Sequence, residues 1–117
     1  METRLLGAFG EQCAARHLRE NGYNVLSANF KAKTGEIDIV ATKDKYICFV
    51  EVKTRQTGGM LPPAAAVDYH KQTNIKETAA IYLSKYPYKL AKRYDIIEVL
   101  VDGRTLVSVN HIENAFD

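Results

Sequence analysis

Four side chains whose types and spacing could do chemistry lie close together in the chain. Glu36 and Asp38 sit in Gly35-Glu36-Ile37-Asp38-Ile39-Val40-Ala41, and Glu51 and Lys53 in Ile47-Cys48-Phe49-Val50-Glu51-Val52-Lys53-Thr54-Arg55. Strand period two puts Glu36, Asp38 and Val40 on one face and Ile37, Ile39 and Ala41 on the other. In the second run Ile47, Phe49, Glu51 and Lys53 share a face, opposite Cys48, Val50 and Val52. Both faces are apolar through its middle, as a central strand covered on two sides requires. Lys43-Asp44-Lys45 joins the runs at hairpin spacing, so the start of the first lies beside the end of the second. Three carboxylates and one ammonium then converge at one end of a sheet.

At about 5 Å and an effective dielectric near 20, each carboxylate pair repels by roughly 3 kcal/mol, and Lys53 offsets only part of that. A hard divalent cation such as Mg²⁺ or Mn²⁺ takes oxygen ligands from one or two carboxylates and keeps open positions for water and phosphate. Bound by Asp38 and Glu51, it could polarise a phosphodiester. Lys53, about 6–7 Å along the strand from Glu51, could orient the attacking water or help deprotonate it. An ordinary cross-strand ion-pair ladder on a solvated face fits the same four residues.

The elements that must position these groups follow from periodicity and turn signals. Residues 3–21 read as a helix with Leu5, Leu6, Phe9 and Cys13 on its apolar arc, ended by Asn21-Gly22. Gly7, Gly10 and Ala14 lie on one flank, where small side chains permit close approach, with Glu11 beside them. Tyr23 to Phe30 reads as a strand, residues 31–35 as a basic loop, Glu36 to Thr42 and Tyr46 to Thr54 as two more strands. A Gly58-Gly59 loop leads to Pro62-Pro63 at the expected start of a second helix, which runs to about Tyr86 with Ile75, Ala79, Tyr82, Leu83 and Tyr86 buried. Arg93 to Val101 and Thr105 to His111 complete the set, joined at Asp102-Gly103. The long crossover between the third and fourth strands makes them parallel and the sheet mixed.

Size and composition bound the rest. The 117 residues suit a single domain spanning 1–117, and 46% hydrophobic with 26% charged residues is ordinary for a globular protein. The net charge of +2 argues for no class of partner by itself. Its distribution is uneven: twelve basic and seven acidic side chains in residues 31–95, but one basic and four acidic in 96–117. Cys13 and Cys48 form neither a zinc motif nor a disulfide framework, and the free thiols point to a reducing compartment. With no secretory h-region and no apolar run near the roughly 18–20 residues of a membrane span, the expectation is a cytoplasmic protein that makes no membrane contact.

Taken together, Asp38, a gap of twelve, and Glu51-x-Lys53 resemble the PD-(D/E)xK motif of the restriction-endonuclease-like nucleases. The element order resembles their α-β-β-β-α-β core, here in an α/β fold with a mixed sheet flanked by helices and a short C-terminal strand. More closely, the chain resembles the YraN-like family of small bacterial proteins within that superfamily. The resemblance rests on Gly7-x-x-Gly10-Glu11-x-x-Ala14, Gly22-Tyr23, Asn29, Gly35-Glu36-Ile37-Asp38, Phe49 to Arg55, Lys71, Ala79 to Leu83 and Arg93-Tyr94-Asp95. It implies that Asp38 and Glu51 are metal ligands and Lys53 the catalytic lysine. Glu11 would match the helix-one glutamate that completes the site in Holliday-junction-resolvase-like members. Ile37 stands where the superfamily motif has proline, and Lys31 where this family often has arginine, a less directional phosphate contact.

Around this core, Glu36 is an additional site carboxylate, and Lys71, four residues before Ile75, shares the sheet-facing side of the second helix. Lys31, Lys33, Arg55, Lys71 and Lys76 are candidate phosphate contacts, with a solvated basic face as the plainer explanation for any one. Arg93 and Asp95 read as a structural ion pair. His17, His70 and His111 lack metal-ligand spacing and receive no role, although His70 could face the site. The leading expectation is a Mg²⁺- or Mn²⁺-dependent endonuclease hydrolysing DNA, with branched or junction DNA among its substrates and a homodimer needed to cut both strands. A nucleic-acid-binding adaptor of the same fold acting with a partner, and a structural interaction domain, are the alternatives from other classes.

Overall fold

The structure, a computed structural model, describes residues 3–58 and 67–117. Its elements run α1 (Thr3–Glu20), β1 (Asn24–Ala32), β2 (Gly35–Lys43), β3 (Tyr46–Gln56), α2 (Tyr69–Lys85), β4 (Ala91–Asp102) and β5 (Thr105–Phe116). The strands form one sheet in the order β1-β2-β3-β4-β5. Only β3 and β4 are parallel; the other neighbours are antiparallel, so the sheet is mixed as expected. No helix among the described residues is long and apolar enough to cross a membrane.

One helix covers each face. Ile75, Ala79 and Tyr82 of α2 pack on Ile37, Val40, Ile47, Phe49, Tyr94 and Ile96. Ala14 and Leu18 of α1 pack on Ile39, Ala41, Cys48, Val50, Ile97, Val99 and Val101. Both cysteines are free, and burial pushes the Cys48 thiol up to about 12.

Several boundaries and faces differ from expectation. The buried line of α1 is Gly10, Ala14 and Leu18, spaced at four residues, whereas Leu5 is 55% exposed. A Cβ at Gly10 would collide with the Thr54 side chain of β3, but one at Gly7 would meet nothing within 4 Å. Close approach is therefore made at Gly10 alone of the two glycines. Helix α2 starts at Tyr69, with the Asp68 carboxylate accepting the Lys71 N–H at 2.8 Å as its cap. Pro62 and Pro63 lie outside the described residues. Tyr86 leaves the buried face because it is the C-cap, with φ −129° and ψ 81°, and is 52% exposed. Lys31 and Ala32 belong to β1 rather than to a loop, and β5 continues to Phe116 rather than stopping at His111.

The last difference is held by a polar cluster. Asp95, fully buried, accepts Arg93 Nε at 2.9 Å and Nη2 at 2.8 Å, His111 Nε2 at 2.8 Å and the Asn114 N–H at 3.0 Å. Burial alone would push its carboxyl up; the donors from His111, Arg93 and Asn114 hold it below the usual carboxylate range. The expected Arg93–Asp95 ion pair is present, and it also ties the far half of β5 to β4. His111, given no role in the sequence, is one of the ties.

Candidate nuclease-like site

The strand alternation breaks at the candidate site. Ile37 and Val40 pack toward α2, yet Ile39 and Ala41 pack toward α1, so Asp38 sits where β2 exchanges faces, not on one regular face with Glu36 and Val40. The neighbouring Asn29 of β1 has φ 55°, and the β1–β2 register passes from Ala28↔Ile39 to Phe30↔Ile37 without an Asn29–Asp38 pair. On its other side β2 parts from β3: pairing runs from Lys43↔Tyr46 to Ile39↔Val50 and goes no further. The N–H of Val52, left without a strand partner in β2, donates to Asp38 Oδ2 at 2.8 Å. The side chain thus replaces a backbone acceptor and is fixed by doing so.

The split opens a cleft of about 420 Å³ between β2, β3 and the first turns of α2, lined by Glu36, Asp38, Glu51, Asp68, His70 and Lys71 among others. Its β1–β2 corner is held against α2. Thr34 and Thr78 hydroxyls lie 2.7 Å apart, and Gly35, with φ 147°, would bring a Cβ to 3.4 Å from Thr78 Oγ1. Only glycine adopts that backbone without strain.

Electrostatically the cleft is a crowd of carboxylates. Burial, the nearby Glu51, and to a lesser degree Glu11 and Glu36 push Asp38 up to about 7, against the Val52 N–H, which favours the anion. Glu11, on α1 one residue past the Gly10–Thr54 contact, is also raised, by partial burial and by Glu36 and Glu51, while Asn29 and Lys31 oppose the rise. Glu51 is 8% exposed, and its Oε1 lies 2.9 Å from Lys71 Nζ. Partial burial pulls the Lys71 ammonium down, but Glu51, Asp38 and Asp68 outweigh it and hold its pKa above the ordinary value.

The structure therefore brings Glu36, Asp38, Glu51 and Lys71 to one cleft, and Glu11 within electrostatic reach of it. Lys53 is part-buried in β3 two residues beyond Glu51 and is not among the cleft-lining residues. Lys31 is exposed and opposite Glu36 in the β1–β2 register. Arg55 is not at the cleft: its Nε lies 3.0 Å from Glu98 Oε2, and its side chain is only 22% exposed. Asp68 and Asn74 line the cleft without having been singled out; the Asp68 cap before a helical run was the available signal. No three His, Cys, Asp or Glu side chains among the described residues form a ready-made ligand set. Two carboxylates suffice for an ion that keeps several waters and takes phosphate oxygens, so Asp38 and Glu51 fit Mg²⁺ or Mn²⁺ better than a cation needing a full protein cage.

Comparison with known proteins adds the lineage. Residues 10–99 match the model of Uncharacterised protein family UPF0102. A UPF0102 protein of Caldanaerobacter subterraneus subsp. tengcongensis is 45% identical, with 99% of this chain and 98% of that one aligned. Others are 43% identical in Syntrophomonas wolfei, over 97% of this chain and 99% of that one, and 39% in Geobacter metallireducens, over 100% and 96%. The matched span holds Glu11, Asp38, Glu51, Lys53 and Lys71 and stops before β5. The chain belongs to the UPF0102 family, as the YraN-like resemblance implied.

Proposed function

We propose that this UPF0102 member is a metal-dependent nuclease that hydrolyses DNA phosphodiester bonds, with branched and junction DNA among the substrates to be tested. One observation carries the reading: Asp38 and Glu51 line one cleft where β2 parts from β3, and burial, with the nearby Glu51 adding to it, drives Asp38 to about 7. A fold keeps such a costly group where a cation or a proton is to be handled. Asp38 and Glu51 would hold Mg²⁺ or Mn²⁺, which when bound would polarise a phosphate oxygen and offset the negative charge of the phosphodiester.

The chain's own groups do the remaining work. The Val52 N–H fixes Asp38, so one of its oxygens is oriented before any ligand arrives. Glu11 approaches from α1 and holds a proton more firmly than an exposed glutamate, which suits it to accept one from water. Lys53, two residues beyond Glu51 on β3 and outside the cleft lining, would have to turn its side chain toward the cleft to orient the water; Glu36 adds negative charge at the cleft edge, and Lys31 and Lys71 bind phosphate. With one such cleft among its described residues, a chain would cut one strand, so cutting both strands takes a homodimer.

The test is cleavage of labelled linear, flapped and four-way-junction DNA with Mg²⁺ or Mn²⁺, beside Glu51→Ala and Lys53→Ala. Loss of a positioned carboxylate or lysine is expected to slow cutting by about 10²-fold or more. If no substrate is cut, or both variants cut like the unmodified protein, the reading is wrong. The Lys71–Glu51 pair favours a second reading, an adaptor that binds nucleic acid with a partner and turns nothing over. Salt-dependent DNA binding without cleavage is its signature.

A further inference from the structure

Glu51 is almost wholly buried, yet its charge does not go unmet: the Lys71 ammonium stands 2.9 Å from Oε1. The two ends of that contact differ in freedom. Glu51 lies in the central strand β3, while the Lys71 side chain is half exposed and rises from the first turn of α2. Its root is fixed, because the Asp68 carboxylate accepts the Lys71 N–H at 2.8 Å; its half-exposed stem lines a cleft of about 420 Å³. A compact monovalent cation on a flexible stem thus stands against the same carboxylate that is suited to a divalent ion. A divalent ion on Glu51 and the Lys71 ammonium at 2.9 Å from its Oε1 would repel each other, so loading the one weakens the hold of the other.

We propose that Lys71 is the resting counter-ion of Glu51, which a divalent cation must displace, so that the lysine sets the metal concentration at which the site loads. The displaced ammonium stays over the cleft, where a phosphate oxygen is the natural replacement partner. This rests on the metal-dependent reading above and adds to it a device that offsets the Glu51 charge while the site is empty.

Mn²⁺ alone is the probe, titrated by calorimetry and by the rise in melting temperature, at about pH 8.5 so that carboxylates are ionised. Lys71→Met is expected to bind Mn²⁺ several-fold more tightly than the unmodified protein, to melt lower without metal, and to gain more from Mn²⁺. Lys71→Arg, whose fork holds a carboxylate more firmly, is expected to bind Mn²⁺ more weakly. A lysine that only props the fold would lower the melting temperature equally with and without Mn²⁺. That result, or unchanged Mn²⁺ affinity in both variants while Glu51→Gln abolishes binding, overturns this proposal and leaves the metal reading standing. Absence of Mn²⁺ binding in every variant overturns both.

Discussion

At the residue scale the decisive group is Asp38. Unfolded, it ionises near 3.8; folded, it does so at about 7, because burial and Glu51 penalise the anion. Between those values the folded state holds a proton that the unfolded chain has lost, so stability falls as pH rises through that window. At about 1.4 kcal/mol for each tenfold change in acidity, the penalty at neutral pH is on the order of a few kcal/mol. The metal-free protein is therefore expected to melt several degrees lower at about pH 8 than at about pH 5. Asp38→Asn, which cannot ionise, is expected to flatten that slope, and Mn²⁺ to raise the melting temperature mainly at the higher pH. Thermal melts across pH decide it: a protein whose stability climbs from pH 5 to 8, with Asp38→Asn behaving identically, would show that the crowding is relieved some other way.

At the scale of elements, α1 reaches the site through one position. Gly10 lies against Thr54 of β3, and the residue after it is Glu11; the helix can place that carboxylate only if nothing projects at 10. Gly10→Ala is expected to cost about 1–3 kcal/mol, as overpacking does, and to slow cleavage by displacing Glu11. Gly7→Ala, in the same helix with open space around it, is expected to stabilise by roughly 0.5–1 kcal/mol. Denaturant titrations of the two variants test the contrast, and equal effects would refute it. The sequence shows two glycines and an alanine on one flank, but it cannot show which glycine meets a neighbour, since that depends on how α1 crosses β3. Element order, the parallel β3–β4 pair and the face shared by Ile47, Phe49 and Glu51 were readable because period and crossover length determine them. The face exchange at Asp38 was not, because it comes from Asn29 at φ 55° and from β2 parting from β3, neither of which alters alternation in the letters. Lys71 was readable as sheet-facing, but its pairing with Glu51 needed the true helix start at Tyr69.

For the whole molecule, the question is where its charge meets a nucleic acid. The sheet order gives the charge a direction: β1, at one edge, carries exposed Lys31 near the cleft, whereas the chain from 96 to 117, with one basic and four acidic side chains, forms most of β4 and all of β5 at the other edge. On the proposed function, a phosphate backbone would be drawn to the β1 side and repelled from the β5 side. A basic residue adds to binding only if it is not already neutralised within the fold. Lys31 is exposed, while Arg55 is held by Glu98 at 3.0 Å and largely covered. Each phosphate neutralised adds about 0.9 to the steepness of log K against log salt on duplex DNA. Lys31→Ala is accordingly expected to reduce that steepness by close to one contact and to weaken binding alike across sequences. Arg55→Ala should leave the slope intact and instead lower stability, because it removes the largely covered Arg55–Glu98 ion pair. Anisotropy titrations over a salt series without divalent ions separate the two. If the slope falls with Arg55 and not with Lys31, the nucleic acid lies across the β3–β4 end of the sheet, and the cleft edge formed by β1 is not its track.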